Sequence, residues 1–533
     1  MIAALAVFAT VFGLDLACLY PTIAPRDSAD LASAALTLGV AHPPGYPFYA
    51  TLGRAWIALM PWGNSAYRLN ALSAAAGAGA CAVLFILVRR RAGATGGLAA
   101  AALWALSAPL WKFSLLEEMY SLHALFVVSL LLLADGESPD VFARARLSGL
   151  ILGLGLVNHQ SLLFWIPGLL VLWRAQAARA RIPAARLAAA AAPGMAAGLG
   201  LYAFLWIRLG GPAPALATAL RLRYGAGALS TALARPLTPG AAAGLMSYAA
   251  AQTIKAAAWP AALFAGAGVA LAWRADRARA AGWLLCAALA GPAFVLLSRF
   301  DPSDWVARST LESAFLGPAL AVALFAGEAV GELARRRAAL GAAAAMILAA
   351  AAFAQNRTSA DHRDDFLAYD YARGLRRALP PGASALVAGD TASFGLRWLE
   401  LVAPELPARA IAPAGLVDRS AWLAARAGEA DVFTAGLGPA DLAALGLPSP
   451  GRPLSPQGLV QVLAATPALS PAEPPRRPAA WGRESYARDV QLSYAFSSWL
   501  AARLLSAQGA PPAALESYDL SAAADDPDDY RLR

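Results

Sequence analysis

The chain has 533 residues, 59% of them hydrophobic and only 14% charged, with a formal net charge of +9, a pI near 9.7 and a mean hydropathy of +0.52. Soluble domains carry about 25% charged residues, so this deficit, with repeated apolar runs of about 17 to 22 residues, excludes an ordinary soluble protein and marks a polytopic membrane protein. The basic excess does not point to nucleic acid, because the arginines cluster in short loops between apolar runs, as the positive-inside rule requires.

Residues 1–20 could be a signal peptide on length alone. They lack a basic start and a small-x-small cleavage site, so they read as a retained first span. An acidic outer loop follows, over about residues 21–70. Asp27 and Asp30 stand three apart at the start of a predicted helix over 31–38, which puts both carboxylates on one face near its N-terminus. The helix dipole there favours an ionised carboxylate, as a base requires. The plain alternative is that the pair caps the helix and stays solvated. Next comes His42-Pro43-Pro44-Gly45-Tyr46-Pro47, whose prolines fix φ and remove donors. It predicts a stiff turn presenting His42 and Tyr46. Arg26 and Arg54 are candidates for binding an anion, and His42 for positioning a phosphate.

Span two, 69–88, ends at Arg89-Arg90-Arg91, and span three, 96–111, returns to Lys112 and a pair of carboxylates, Glu117 and Glu118. Two carboxylates at a membrane face need partners or plain solvation; Lys112, Tyr120 and His123 are within one or two helical turns. Span four covers 120–133. Span five, 147–157, is short and ends at Asn158-His159-Gln160, and 161–173 runs back to a basic loop. These two read as half-length spans meeting at a polar cavity, because unpaired backbone is not tolerated against lipid. His159 there is either a structural histidine or part of a site.

Further spans follow at 187–207, 256–273, 280–297, 315–333 and 340–353, with a long outer loop at 208–253. Arg299, Asp301, Asp304, Arg308 and Glu312 form a charged patch at the outer face. Arg299 and Arg308 suit bidentate phosphate binding, or equally a lipid-headgroup anchor. Every basic loop falls on one side, and the acidic loop, Glu117–Glu118, Asn158–Gln160 and the C-terminal part on the other. The expectation is an all-α polytopic domain of about eleven transmembrane helices over 1–354. Cys18, Cys81 and Cys286 all fall within spans and offer neither a disulfide framework nor metal spacing. Residues 361–365 have metal-ligating types on a membrane-exit helix and are not read as a metal site.

From about 355 the chain turns soluble in character. Short apolar runs at 383–389, 409–412 and 431–435, with Asp390 and a helical pattern after the first, predict a smaller extracytoplasmic α/β domain over 355–465. A proline-rich linker at 467–478 leads to two predicted antiparallel helices, a tetratricopeptide-like hairpin, within 466–533.

The residues DSADL at 27–31 with GVAHPPGYP at 39–47 resemble the signature of the protein O-mannosyltransferase-like family of multi-pass membrane proteins, in the GT-C glycosyltransferase superfamily. Similar stretches are EEMYSLHALF at 117–126, GLVNHQSLL at 155–163, ESAFLGPALAVALFAGE at 312–328 and the segment 363–394. The resemblance implies a GT-C fold and transfer of a sugar from a polyprenyl-phosphate donor to a protein or glycan acceptor at the extracytoplasmic face of a bacterial inner membrane. It implies Asp27 as general base of an inverting displacement. The family has Gly-Glu where this chain has Ala29-Asp30, which shortens the second carboxylate's reach by about 1.5 Å. Arg54, Arg299 and Arg308 would hold the leaving phosphate. His42, Glu118 and His159 would line the sugar pocket, with Tyr46, Glu117, Tyr120 and Asn158 as further substrate-binding candidates. No cofactor is required, a divalent metal is left open, and membrane lipids but no nucleic acid are expected partners. A protein serine or threonine is the favoured acceptor. The alternatives are a lipid or polysaccharide acceptor, or a non-enzymatic translocator or scaffold.

Overall fold

The structure, a computed structural model, describes residues 1–135, 140–222, 234–405, 407–429, 432–437, 439–447, 455–457 and 460–462, with single positions at 490, 494, 506 and 509. It divides into two compact units: one of 1–19, 34–62 and 68–363, the other of 20–33, 63–67 and 364 onward.

The helices run α1 (Ile2–Cys18), α2 (Ser28–Thr37), α3 (Pro47–Leu59), α4 (Ser65–Ala105), α5 (Ala108–Ser114), α6 (Tyr120–Asp135), α7 (Val141–Asn158), α8 (Ile166–Arg179) and α9 (Ala184–Leu199). After these come α10 (Ala203–Leu209), α11 (Pro212–Ala219), α12 (Pro239–Ala257), α13 (Trp259–Ala275), α14 (Arg277–Ala288), α15 (Phe294–Ser298), α16 (Trp305–Leu311), α17 (Leu316–Arg336) and α18 (Ala338–Asn356). Among the described residues seven helices are long and apolar enough to cross a membrane, or eight if the pair α12 and α13, bent by 102°, counts as one. Two shorter apolar helices, α1 and α6, join them. The protein is therefore a multi-pass membrane protein, and the figure of eleven spans stays an expectation.

As a straight rod, the 41 residues of α4 would reach about 60 Å, twice the hydrocarbon thickness. They do not form one rod. Gly93 leaves helical geometry at φ 74°, ψ 178°. A β-carbon on Gly97 would meet the Phe85 carbonyl at 2.9 Å and Arg89 Cβ at 3.1 Å, so the two halves fold back on each other. This is the hairpin expected between spans two and three. The stretch around His159 departs from expectation. In place of two half-length spans, α7 has 18 residues and Gln160–Arg179 has 20, each long enough to cross by itself. A 3₁₀ stretch, Gln160–Trp165, resumes hydrogen-bonded helical backbone directly after His159, which alone between the two helices is extended.

The α7–α9 seam shows how small residues hold this unit. Gly149 and Gly153 on α7 face Gly194 and Gly198 on α9 at four-residue spacing. β-carbons on Gly194 and Gly198 would lie 2.6 Å from the Arg146 carbonyl oxygen and the Leu154 nitrogen. Lipid gives helices no hydrophobic reason to associate, so close backbone approach supplies the attraction. Gly149→Ala, whose new methyl would fall on the Ala191 carbonyl, is expected to destabilise the protein by about 1–3 kcal/mol, read by thermal unfolding in detergent.

The second unit carries α19 (Leu367–Ala378), β1 (Ser384–Val387), α20 (Asp390–Val402), β2 (Ala410–Pro413), α21 (Arg419–Ala424), β3 (Val432–Ala435), α22 (Pro439–Ala444), β4 (Ser455–Gln457) and β5 (Val460–Val462). The sheet order is β2-β1-β3-β5-β4, with β1 parallel to both neighbours and β5 antiparallel to β3 and β4. Strand alternation divides the core. Ala385 and Val387 join Leu367, Tyr371 and Leu375 of α19 on one face. Leu386 meets Ala412, Leu423 and Leu442 on the other. Val490 and Tyr494 complete the first face; the rest of the expected linker and helical hairpin lies outside the described residues.

Candidate functional site

The AHPPGYP turn folds as its composition requires. Gly45 N–H closes onto the His42 carbonyl at 2.8 Å, Gly45 and Tyr46 take φ of 92° and 44°, and Pro47 opens α3. The turn carries His42 and the buried Tyr46 into an aromatic cluster of the first unit. His42 and Tyr46 have ring centroids 5.1 Å apart, and Tyr46 lies parallel to His159 at 6.3 Å. Tyr120 and His123 reach His159 from α6 at 5.1 and 5.6 Å. Three of the chain's four histidines thus meet in one place. His159 Nδ1 and Ser161 Oγ share a hydrogen bond of 2.6 Å, and Ser161 Oγ stands 3.5 Å from His123 Nε2. Tyr120, His123, His159, Ser161, Trp165 and Ser313 help line a cavity of about 30 Å³, room for one or two waters.

Burial holds the His159 imidazole well below its usual value, and His123, Arg221 and His42 push the same way. An unfolded chain takes up this proton near about pH 6.5, and the folded site resists it. Its contribution to stability is therefore complete above that pH and is lost as pH falls below it. Melting followed from about pH 7.5 to 5.5 is expected to show this loss, and His159→Gln to lessen it.

Glu117 and Glu118, 0% and 2% exposed, occupy the link between α5 and α6. Ser73 donates to the Glu118 carbonyl at 3.3 Å and Asn158 Nδ2 to the Met119 carbonyl at 3.1 Å, so α4 and the end of α7 hold this link in place. The buried Tyr49 phenol is pushed well above its ordinary value by burial first and by the charges of Glu117 and Glu118 next. Carboxylates so deep are expensive unless partnered, which marks the place as built. Lys112 Nζ pairs with Glu312 at 2.5 Å.

Arg54, Arg299 and Arg308 are all exposed. Arg54 is exposed, and its Nη1 donates to the Leu36 carbonyl at the end of α2 at 2.8 Å. Arg299 is exposed in left-handed backbone at φ 55°, its carbonyl accepting from Arg235 N–H at 2.9 Å. Arg308, exposed as well, donates Nη1 to the Pro302 carbonyl at 3.5 Å. Asp27 and Asp30 belong to the second unit. The Asp27 carbonyl accepts from Asp30 and Leu31 N–H at 3.0 and 3.1 Å, which opens α2. Asp30 is buried and Asp27 half-buried.

The structure brings His42, Tyr46, Tyr120 and His159 together, with Glu117, Glu118 and Asn158 in the same unit. Sequence reasoning missed Tyr49, Ser161 and Trp165. Their signal was present, since each lies inside or within two residues of the quoted GVAHPPGYP and GLVNHQSLL stretches. Among the described residues no group of three or more His, Cys, Asp or Glu side chains is arranged to hold a metal.

Residues 27–181 match the family described as the protein O-mannosyl-transferase TMEM260 N-terminal domain. The chain is 36% identical to mouse protein O-mannosyl-transferase TMEM260 over 167 residues, which is 30% of this chain and 24% of the mouse protein. It is 28% identical to the Dictyostelium discoideum protein of that name over 117 residues, 21% of this chain and 14% of that one. It thus spans a quarter or less of these relatives. Its fold is similar to that of ArnT from Cupriavidus metallidurans, whose crystal structure is bound to undecaprenyl phosphate. The TM-score is 0.56 at 14% identity, over 89% of this chain and 99% of that one. Over residues 27–181 the chain is thus similar to the protein O-mannosyl-transferase TMEM260 N-terminal domain family, and its fold is similar to that of ArnT.

Proposed function

We propose that the protein is a membrane glycosyltransferase that moves a sugar from a polyprenyl-phosphate donor to a hydroxyl acceptor, a protein serine or threonine in preference to a lipid or glycan. One observation carries the reading. The family match begins at Asp27 and runs through the AHPPGYP turn, Glu117–Glu118 and His159, so most of the residues with chemistry to offer lie within the matched stretch. The names of the mouse and slime-mould relatives and the undecaprenyl phosphate on ArnT support the reaction class and the donor class.

In this reading Asp27 takes the proton of the acceptor hydroxyl as its oxygen attacks the anomeric carbon. The bond from that carbon to the phosphate oxygen breaks with its electron pair, configuration inverts, and polyprenyl phosphate leaves. Arg54, Arg299 and Arg308 meet the growing phosphate charge. Arg54 and Arg308 each commit Nη1 to a backbone carbonyl, and a guanidinium has five donors to offer. His42, Glu118 and His159 line the sugar pocket with Tyr46, Glu117, Tyr120 and Asn158, and Asp30 stands as the second carboxylate beside the base. The site and the α/β domain face the periplasm of a bacterial inner membrane.

The test offers membranes containing the protein a panel of radiolabelled polyprenyl-phosphate sugars and follows label into protein, lipid and glycan fractions. Label in the protein fraction is the expected result. Label confined to lipid or glycan changes the acceptor class. Transfer from none of the donors ends the enzymatic reading and leaves a translocator or scaffold.

A further inference from the structure

The second unit holds the first outer loop along one stripe of α20. Thr391, Gly395 and Trp398 fall at i, i+4 and i+7, hence on one face of that helix. Each meets a residue of the loop. Arg26 N–H donates to Thr391 Oγ1 at 2.7 Å. A β-carbon built on Gly395 would stand 3.6 Å from Ile23 Cδ1 and 2.9 Å from Ala372 Cβ, so glycine admits Ile23 and α19 together. Trp398, 2% exposed, donates its indole N–H to Ser65 Oγ at 3.2 Å. Asn64 Nδ2 reaches the Pro21 carbonyl at 3.1 Å and ties the two ends of the loop.

The placement of α20 gives the stripe its meaning. The helix starts directly after β1, the strand whose neighbours β2 and β3 lie on opposite sides. Beyond the carboxyl end of such a strand, open α/β sheets usually bind ligands. Here a backbone amide of the chain's own loop is bound to the first turn of the helix. That amide belongs to Arg26, which takes φ 70°, a left-handed conformation that a residue with a side chain seldom keeps unless it is held there. The reversal falls one residue before Asp27, whose carbonyl opens α2. The Arg26 conformation therefore sets the direction in which Asp27 leaves the turn.

We infer that Thr391, 2% exposed, is a positioning residue for Asp27: its hydroxyl oxygen fixes Arg26 in the left-handed conformation, and the α20 stripe holds the carboxylate-bearing loop in register. The inference rests on the reading of Asp27 as the base.

Thr391→Val keeps the side chain's shape and removes the acceptor; Thr391→Ser keeps the acceptor and removes a methyl group. Amide hydrogen exchange on the full chain is expected to quicken over 26–31 by about tenfold in Thr391→Val, the loss of one ordinary hydrogen bond, and to stay near wild type in Thr391→Ser. In the transfer assay kcat falls in Thr391→Val with donor KM unchanged, and Thr391→Ser restores it. Unchanged exchange in Thr391→Val overturns the inference, and so does an equal fall of kcat in both variants. If Thr391→Val does not fold, Trp398→Phe probes the same stripe: exchange must quicken over 63–67, and no change there overturns it. Asp27→Asn separates the two ways of failing. Wild-type transfer in that variant defeats the base assignment, whereas exchange over 26–31 in the Thr391 variants tests the positioning independently of it.

Discussion

Asp27→Asn is expected to lower sugar transfer by about 10²–10⁴-fold, the usual contribution of a positioned general base. Asparagine has the same shape and can still accept hydrogen bonds, but it cannot take the acceptor's proton. The loss should therefore fall on kcat and leave donor KM within a small factor, the signature of an interaction made only in the transition state. Asp30 shares the first turn of α2 and is the more buried of the two, so Asp30→Asn is expected to cost less than Asp27→Asn. Initial rates with labelled donor, measured on variants that elute and melt like wild type, decide the matter. Equal rates in wild type and Asp27→Asn would remove Asp27 from the mechanism and move attention to Asp30 and Glu118.

Arg91→Ala is expected to cost about 3–5 kcal/mol of stability, the penalty for leaving one partner of a buried ion pair behind. Asp135 closes α6 with its side chain 2% exposed, and Arg91 stands opposite at 20%. Arg91 Nε meets Asp135 Oδ2 at 2.5 Å, while Nη2 reaches Oδ1 and, at 3.3 Å, the Asp135 backbone carbonyl. A planar fork makes this grip, so Arg91→Lys keeps the charge and loses the geometry and should fall between wild type and alanine. Arg91→Leu with Asp135→Leu removes both charges and is expected to recover most of the loss. Unfolding in detergent at matched lipid content reads all three. A cost under about 1 kcal/mol for Arg91→Ala would place the pair among ordinary surface bridges.

Much of the membrane domain was legible, because apolar runs and arginine-rich turns are local signals. The break at Gly93 lies two residues beyond Arg91, where the basic run already implied a turn. The half-length reading of span five failed for a physical reason. Hydropathy ends at about 147, yet α7 starts at Val141. Arg144 is buried and donates to the Leu133 carbonyl at 3.4 Å, so a charged turn lies inside the packing, where hydropathy gives no sign of it. The parallel strands were visible as short apolar runs between glycine and proline. The β4–β5 pair was not, since three-residue strands, one containing Pro456, carry too little pattern. At the site, the stretches holding His42, Glu117–Glu118 and His159 could be read directly. That Asp27 and Asp30 pack with the α/β unit could not be read, because that depends on a residue 365 positions away.

That separation has a consequence for how the protein is made. A hydrogen bond from Arg26 to Thr391 spans 365 residues, and at a synthesis rate of about 5–20 residues per second Thr391 leaves the ribosome roughly 20–70 s after Arg26. Throughout that interval the membrane helices can insert and pair with their neighbours, while the acidic loop has no partner for its turn. A nascent chain is thus expected to reach the bilayer before its carboxylates are in place. A chain cut short after α18 is expected to insert with Arg26 still lacking its hydrogen bond to Thr391.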